Sequence, residues 1–151
     1  MSHSDEFWME EALREAQRAL AMGEVPVGAV VVRDGAVLGR GCNRPISSND
    51  PVAHAEVVAL REAAQAISNY RLLDCDLYVT VEPCAMCAGA ITHARIRRLI
   101  YGAEDAKGGA VSSALQVLNH PKLNHQVEVV SGVLGARCMD LLQAFFRGKR
   151  Q

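Results

Sequence analysis

Leu77-Tyr78-Val79-Thr80-Val81-Glu82-Pro83-Cys84-Ala85-Met86-Cys87-Ala88-Gly89-Ala90-Ile91 is the stretch on which the fold turns. The apolar run 77–81 reads as a strand, and 85–91 reads as a helix that follows it directly. Pro83 fits the first turn of that helix, where no amide donor is required. Cys84 and Cys87 are three residues apart, so they share one helical face a turn apart. The partial positive charge of a helix N-terminus favours thiolate over thiol, the form that binds a metal.

Working outward, His54-Ala55-Glu56 precedes this strand. One imidazole and two thiolates supply three ligands of a tetrahedral zinc site and leave an open corner for water, as in catalytic zinc. Metal ligands are therefore expected at His54, Cys84 and Cys87, with the Glu56 carboxylate as the proton carrier for that water. Residues two apart on a regular helix point to roughly opposite sides. For both to reach one water, His54 must lie at the very start of its helix, and the loop Ser47-Ser48-Asn49-Asp50-Pro51 before it permits this. Helix 54–68 follows, with Val57, Val58, Leu60 and Ala64 offering an apolar face. A thioredoxin-like redox pair at Cys84/Cys87 would leave His54 and Glu56 unexplained. A closed structural zinc site would need a fourth ligand that no spacing selects.

The remaining elements follow in order. Residues 5–22 show helical periodicity, with Phe7, Leu13, Ala16 and Leu20 on one side. A strand is expected at 27–32, and Asp34-Gly35 turns it into a second at 37–39. Strand 76–81, helix 84–93 and strand 98–102 come next. The Gly-rich loop 107–110 leads into a less regular region at 115–123, a last strand at 127–130 and a last helix at 134–147. This alternation predicts an α/β fold of one domain, residues 1–151, with a central mixed sheet of five strands between helices on both faces.

A chain of 151 residues with a net charge of −1, half its residues hydrophobic and a mean hydropathy of +0.05 is ordinary for a soluble globular domain and unlike a broadly basic nucleic-acid binder. No apolar stretch is long enough to span a bilayer, and the polar, acidic start Met1-Ser2-His3-Ser4-Asp5-Glu6 is unlike a secretory signal. Cys42, Cys75 and Cys138 lie in apolar segments and read as buried free thiols, which fits a reducing cytoplasm. Two local basic clusters survive the near-neutral average: Arg95, Arg97 and Arg98, and Arg147, Lys149 and Arg150 after Phe145-Phe146. Each could equally be a solvated element end. Adjacent helical residues diverge, so only one of Phe145 and Phe146 can be a stacking platform, and the other should be core. His93, His120 and His125 read as structural, and His3 as disordered.

The H-x-E and P-C-x-x-C elements together make the chain resemble the cytidine-deaminase-like zinc deaminases. Further segments make it similar, over nearly its whole length, to the bacterial tRNA-specific adenosine deaminase family. They are Glu24-Val25-Pro26-Val27-Gly28-Ala29, Asn43-Arg44-Pro45, Asn69-Tyr70-Arg71-Leu72, Gly102-Ala103-Glu104-Asp105-Ala106-Lys107, His120-Pro121, Asn124-His125 and Phe145-Phe146-Arg147. The resemblance implies a three-layer α/β/α fold, one zinc ion per subunit and a homodimer. It implies hydrolytic deamination of the wobble adenosine in a tRNA anticodon stem-loop to inosine. Zinc lowers the pKa of a water from about 16 to about 7, which is how such sites make hydroxide at neutral pH. By the same resemblance Asn43 and the Ala55 amide face the purine, and Asp105, Lys107, Asn124, Phe146 and Arg147 line the groove for flanking nucleotides. Base flipping out of an anticodon loop costs little, which suits a buried metal. Two residues depart from an ideal RNA groove: Glu104 would repel phosphate, and Gly148 interrupts the basic C-terminal turn. A free-purine deaminase acting on guanine is the chief rival, and a zinc-binding module without catalysis is the second. The basic tail and the Asp105-Ala106-Lys107 loop favour RNA over the first, and Glu56 argues against the second. The apolar face near 86–91 is either a subunit interface or core.

Overall fold

Two strands buried on both faces organise the molecule. A computed structural model describes residues 3–149, and Arg150 of the basic tail and Met1-Ser2 of the polar start lie outside the described residues. Strand β3 (Asp76–Val81) is buried at every position, and β1 (Gly28–Arg33) at all but its last. Runs of this kind belong in the middle of a sheet covered on two sides. The five-stranded order is β2-β1-β3-β4-β5, with β2 (Ala36–Cys42), β4 (Arg98–Ala103) and β5 (Glu128–Val130) completing it. The first two pairings are antiparallel and the last two parallel, so the sheet is mixed as expected.

Alternation along the strands assigns the two faces. Ala29, Val31, Leu77, Val79, Leu99 and Tyr101 face α3 (Ala55–Ile67) and α4 (Ala85–His93). Val30, Val32, Tyr78 and Ile100 face α1 (Asp5–Ala21) and α5 (Gly135–Lys149). The result is the three-layer α/β/α arrangement. The buried side of α1 is Trp8, Met9, Ala12, Leu13, Ala16 and Ala19, whereas Phe7 and Leu20 lie at the rim, 40% and 39% exposed. The small residues Ala12 and Ala16 pull the helix down onto Gly28, where a Cβ would collide with their backbone. That close approach rotates the helix away from the face its larger side chains suggest.

Strand β2 runs to Cys42, three residues past its expected end, because Gly39 and Gly41 conceal it. Both glycines lie under α3, and a Cβ on either would strike the backbone of Ala59. A low strand propensity here marks a helix pressed onto the sheet. Helix α4 begins at Ala85, so Pro83 lies before the helix and not in its first turn. The short helix α2 (Pro45–Ser48) takes in Ser47 and Ser48, which were expected as loop. It forms because Pro45 presets its first turn and Glu24 accepts hydrogen bonds from the Ile46 and Ser47 amides.

Arg97 and Arg98 are tied down at the end of the sheet where β3 begins. Arg97 pairs with Asp76 at 2.9 Å, and Arg98 pairs with Asp5, Asp76 and Glu128. They lock α1 and β5 to the sheet and offer no free basic patch. His3 stacks on Phe7 with ring centroids 3.9 Å apart, so an aromatic partner orders it. Residues 104–127, which carry the chain from β4 to β5, contain turns but no helix or strand.

Candidate active site

Parallel strands leave a crevice at their carboxyl ends. Here β3 ends at Val81 beside β4, and the N-termini of α3 and α4 converge on the same place. His54 is the N-cap of α3 and Cys84 the N-cap of α4, both with extended backbone (φ −73°, ψ 154° and φ −76°, ψ 178°). Standing outside the regular winding, His54 can share a site with Glu56. His54 Nδ1 lies 3.6 Å from Cys84 Sγ and 3.6 Å from Cys87 Sγ. Ligand bonds of ~2.0 Å to nitrogen and ~2.3 Å to sulfur at tetrahedral angles put nitrogen and sulfur about 3.6 Å apart. These three side chains also form the one metal-competent group among the described residues.

The electrostatics suit a cation. Hydrogen bonds from Cys87 and His54 pull Cys84 down to about 3, making it the thiolate of the pair. Cys87, beside that thiolate and buried, is pushed up. The Cys84 hydrogen bond raises His54 in turn. A divalent ion held by these three residues would favour both sulfurs as thiolates. Glu56 is 4% exposed, and burial drives its carboxyl up to about 7. A group poised near neutral pH is suited to taking and giving a proton.

A cavity of about 230 Å³ opens beside this cluster. Val25, Val27 and Val81 form its apolar wall, and Asn43, His54, Glu56, Cys84 and Asp105 its polar one. The Asn43 backbone N–H donates to the Val27 carbonyl at 3.0 Å, which holds the residue in place. Ala55 is buried as the first residue of α3, so its amide is among those with no intrahelical partner. Asp105 enters the cavity, and its carboxylate accepts the amides of Lys107 (3.2 Å) and Gly108 (3.0 Å), fixing a local turn.

The other expected RNA contacts are not brought together in this cavity. Lys107 is exposed on the turn beyond Asp105. Asn124 lies in a separate cavity of about 270 Å³ with Tyr70, Arg71, Arg95 and His125. Phe146 (44% exposed) and Arg147 sit on the last turn of α5. Neither Phe145 nor Phe146 is core: their rings meet edge-on at 5.4 Å, and Lys149 lies over Phe145. Only Cys138 of α5 is buried, so both rings lie beyond the part of that helix that docks.

Sequence reasoning gave no role to Val25, Val27, Val81 or Glu82, all of which line the cavity. For Val81 and Glu82 the signal available was position, at the end of the strand that leads into the Cys84/Cys87 motif; for Val25 and Val27, just before β1, the motifs offered none. Glu82 is 3% exposed and unusually well satisfied, as described below.

This is the architecture of the cytidine-deaminase-like fold, and comparison narrows it. A tRNA-specific adenosine deaminase of Haemophilus influenzae is 51% identical over 151 residues, 99% of this chain and 87% of that protein. A structure solved in studies of A-to-I editing by tRNA:A34 deaminases superposes with a TM-score of 0.87 at 48% identity, covering 90% of this chain and 99% of the other. Guanine deaminase from Bacillus subtilis matches at 44% identity with a TM-score of 0.64, covering 69% of this chain and 66% of its own. The chain belongs to the MafB19-like deaminase family, whose model matches residues 3–150.

Proposed function

We propose that this enzyme hydrolyses the wobble adenosine of a tRNA anticodon loop to inosine. The observation that carries the reading is the His54/Cys84/Cys87 tripod with buried Glu56 at the floor of the cavity, in a chain whose similarity to tRNA-specific adenosine deaminases runs nearly end to end. The Bacillus subtilis guanine deaminase matches about two thirds of each chain. The Nitrosomonas europaea guanine deaminase matches 96% of this chain at only 23% identity, against 51% identity over 99% of this chain for the tRNA-specific enzyme. Both comparisons favour the RNA reading.

His54, Cys84 and Cys87 would hold zinc, whose chemistry when bound is Lewis-acid activation of water. The protein supplies the rest. Glu56 takes a proton from the water as its oxygen adds to C6 of adenine, and delivers it to N1. It then carries the second proton to the departing amine; the C6–N bond breaks, ammonia leaves and inosine remains. Asn43 and the Ala55 amide orient the purine, while the three valines exclude water from its faces. Asp105 and Lys107 take a neighbouring nucleotide, and Asn124, Phe146 and Arg147 extend the contact outward. The reaction belongs in the cytoplasm, where tRNA is found, and no described helix is long and apolar enough to cross a membrane.

The test is turnover of an anticodon stem-loop bearing a wobble adenosine, with guanine and cytidine run in parallel. Inosine is expected from the RNA, and activity should fall as salt rises. Glu56→Ala should keep its zinc and lose at least 100-fold in kcat, the scale of general acid–base catalysis (~10²–10⁴). Xanthine without inosine would move the pocket to a free purine.

A homodimer is part of this reading. The outer face of α3 and α4 leaves an apolar groove of about 320 Å³ formed by Val57, Leu60, Ala64, Leu72, Ala90 and Ala94. Cys87, Ala88 and Ile91 of the 86–91 stretch are instead core, with Met86 exposed. Light scattering should give twice the 16.3 kDa chain mass, and Ala90→Glu, at a partly buried position lining the groove, should halve it. A wild-type monomer would remove the dimer from the reading.

A further inference from the structure

The chain between β4 and β5 joins parallel strands without a helix, so its amides need acceptors outside any regular ladder. One side chain accepts four of these amides. Glu82 Oε1 accepts the Asp105 amide at 3.1 Å and the Ser113 hydroxyl. Its Oε2 accepts the amides of Val111 at 3.1 Å, Ser112 at 2.9 Å and Ser113 at 3.0 Å. The bonds reach both ends of the segment 105–113 and close it into a loop around the carboxylate. Gly109 lies against the same group, where a Cβ would run into the Glu82 carboxyl. The neighbouring Pro83 carbonyl adds one more tie, accepting the Ala110 amide at 2.8 Å.

We infer that Glu82 is a positioning residue for substrate: it fixes the loop that presents Asp105 and Lys107 to the nucleotide beside the target base. The inference rests on the deaminase reading above. Glu82 lines the same cavity as Glu56, so a second proton carrier is the alternative role. Hydrogen bonding decides between them. An ionised carboxylate offers about four acceptor sites, and five donors already converge on this one. No lone pair is left to take a proton from water or substrate. Its influence must pass through what it holds, and that is backbone.

Glu82→Gln tests this. The amide nitrogen brings donors to a place where amide N–H groups already point, so at least one bond is lost, that of the Asp105 amide, or all three amide bonds of Val111, Ser112 and Ser113, while volume is kept. Zinc content should stay at the wild-type level. KM for the stem-loop should rise roughly tenfold or more, the scale of a lost charge-assisted hydrogen bond, with kcat within a few-fold of wild type. Hydrogen–deuterium exchange should accelerate in 105–115 and stay unchanged in α4. In an Asp105→Ala background, Glu82→Gln should add little further loss of KM, since both act through one loop. A drop in kcat at constant KM, exchange spreading into β3 and α4, or fully additive losses would each overturn the inference. Should Glu82→Gln not fold, Ser113→Ala removes one donor from the same carboxylate and must raise KM alone, by a smaller factor; an unchanged KM overturns the inference equally. A wild-type protein inactive on the stem-loop, with exchange as expected, would overturn the functional reading instead.

Discussion

Two crossovers leave the parallel half of this sheet, and they solve one problem by opposite means. From β3 to β4 the chain passes through α4, whose amides from Ala88 onward bond within the helix and whose Cys87, Ala88 and Ile91 are fully buried. From β4 to β5 it runs 24 residues, 104–127, without a helix, and a buried carboxylate takes the place of the helical ladder. The first presents the cysteines, and the second presents Asp105 and Lys107. On the proposed reading the regular crossover carries two of the three metal ligands and the irregular one carries the contact with the neighbouring nucleotide. Rigidity at a metal tripod and adjustability at a nucleotide groove call for different scaffolds.

The largest disturbance should come from the regular side. Cys87→Ala removes a ligand held on a packed helix, and we expect zinc stoichiometry to fall towards zero and inosine formation to drop below detection. Metal analysis and the stem-loop assay read this directly. Retained zinc with retained turnover would mean the tripod is not the metal site, and the contrast between the crossovers would lose its first half. Glu82→Gln should sit between the extremes, a loss in KM alone. An equal loss of kcat in both variants would erase the distinction.

The smallest effect should come from beside the cavity residue Val25, where Glu24 plays a similar part for α2. It is 2% exposed and accepts the Ile46 and Ser47 amides and the Ser47 hydroxyl. Burial raises its carboxyl, but these hydrogen bonds outweigh burial and hold it below the ordinary 4.5. A carboxyl with a depressed folded value stabilises fully above its unfolded value, and that stabilisation is lost as pH falls through the folded one. Wild type should therefore lose stability as pH drops below about 4.5, and Glu24→Gln should show a shallower acid loss when urea midpoints are compared at pH 7 and pH 4. Equal acid slopes would show that α2 is not held electrostatically.

The same contrast explains what the sequence revealed. Elements with a period were legible: β3 through its unbroken apolar run, α3 and α4 as helices, and the N-cap place of His54 through the geometric demand that it stand outside the winding, whereas Cys84 was expected inside its helix and caps it instead. Strand β2 was only half visible because Gly39 and Gly41 serve the helix above it. The exposed Phe7 and Leu20 misled for a related reason, since alanines set the distance of α1 from the sheet. The crossover 104–127 has no period to read. Its order comes from Glu82, more than 20 residues away in sequence, and nothing local announces that partner. Asn124, Phe146 and Arg147 were reached by resemblance alone, and the fold sets them apart from the cavity that holds the chemistry.

Glu82 grips its loop chiefly by main-chain N–H groups, and any amino acid but proline provides one. Side chains at 111 and 112 can therefore be exchanged without loosening the anchor, whereas Gly109 cannot accept even a methyl group. The loop beside the reacting base is thus separable from the machinery beneath it. A lineage, or an engineer, can redraw which nucleotide neighbours the enzyme accepts while the deaminating centre stays as it is.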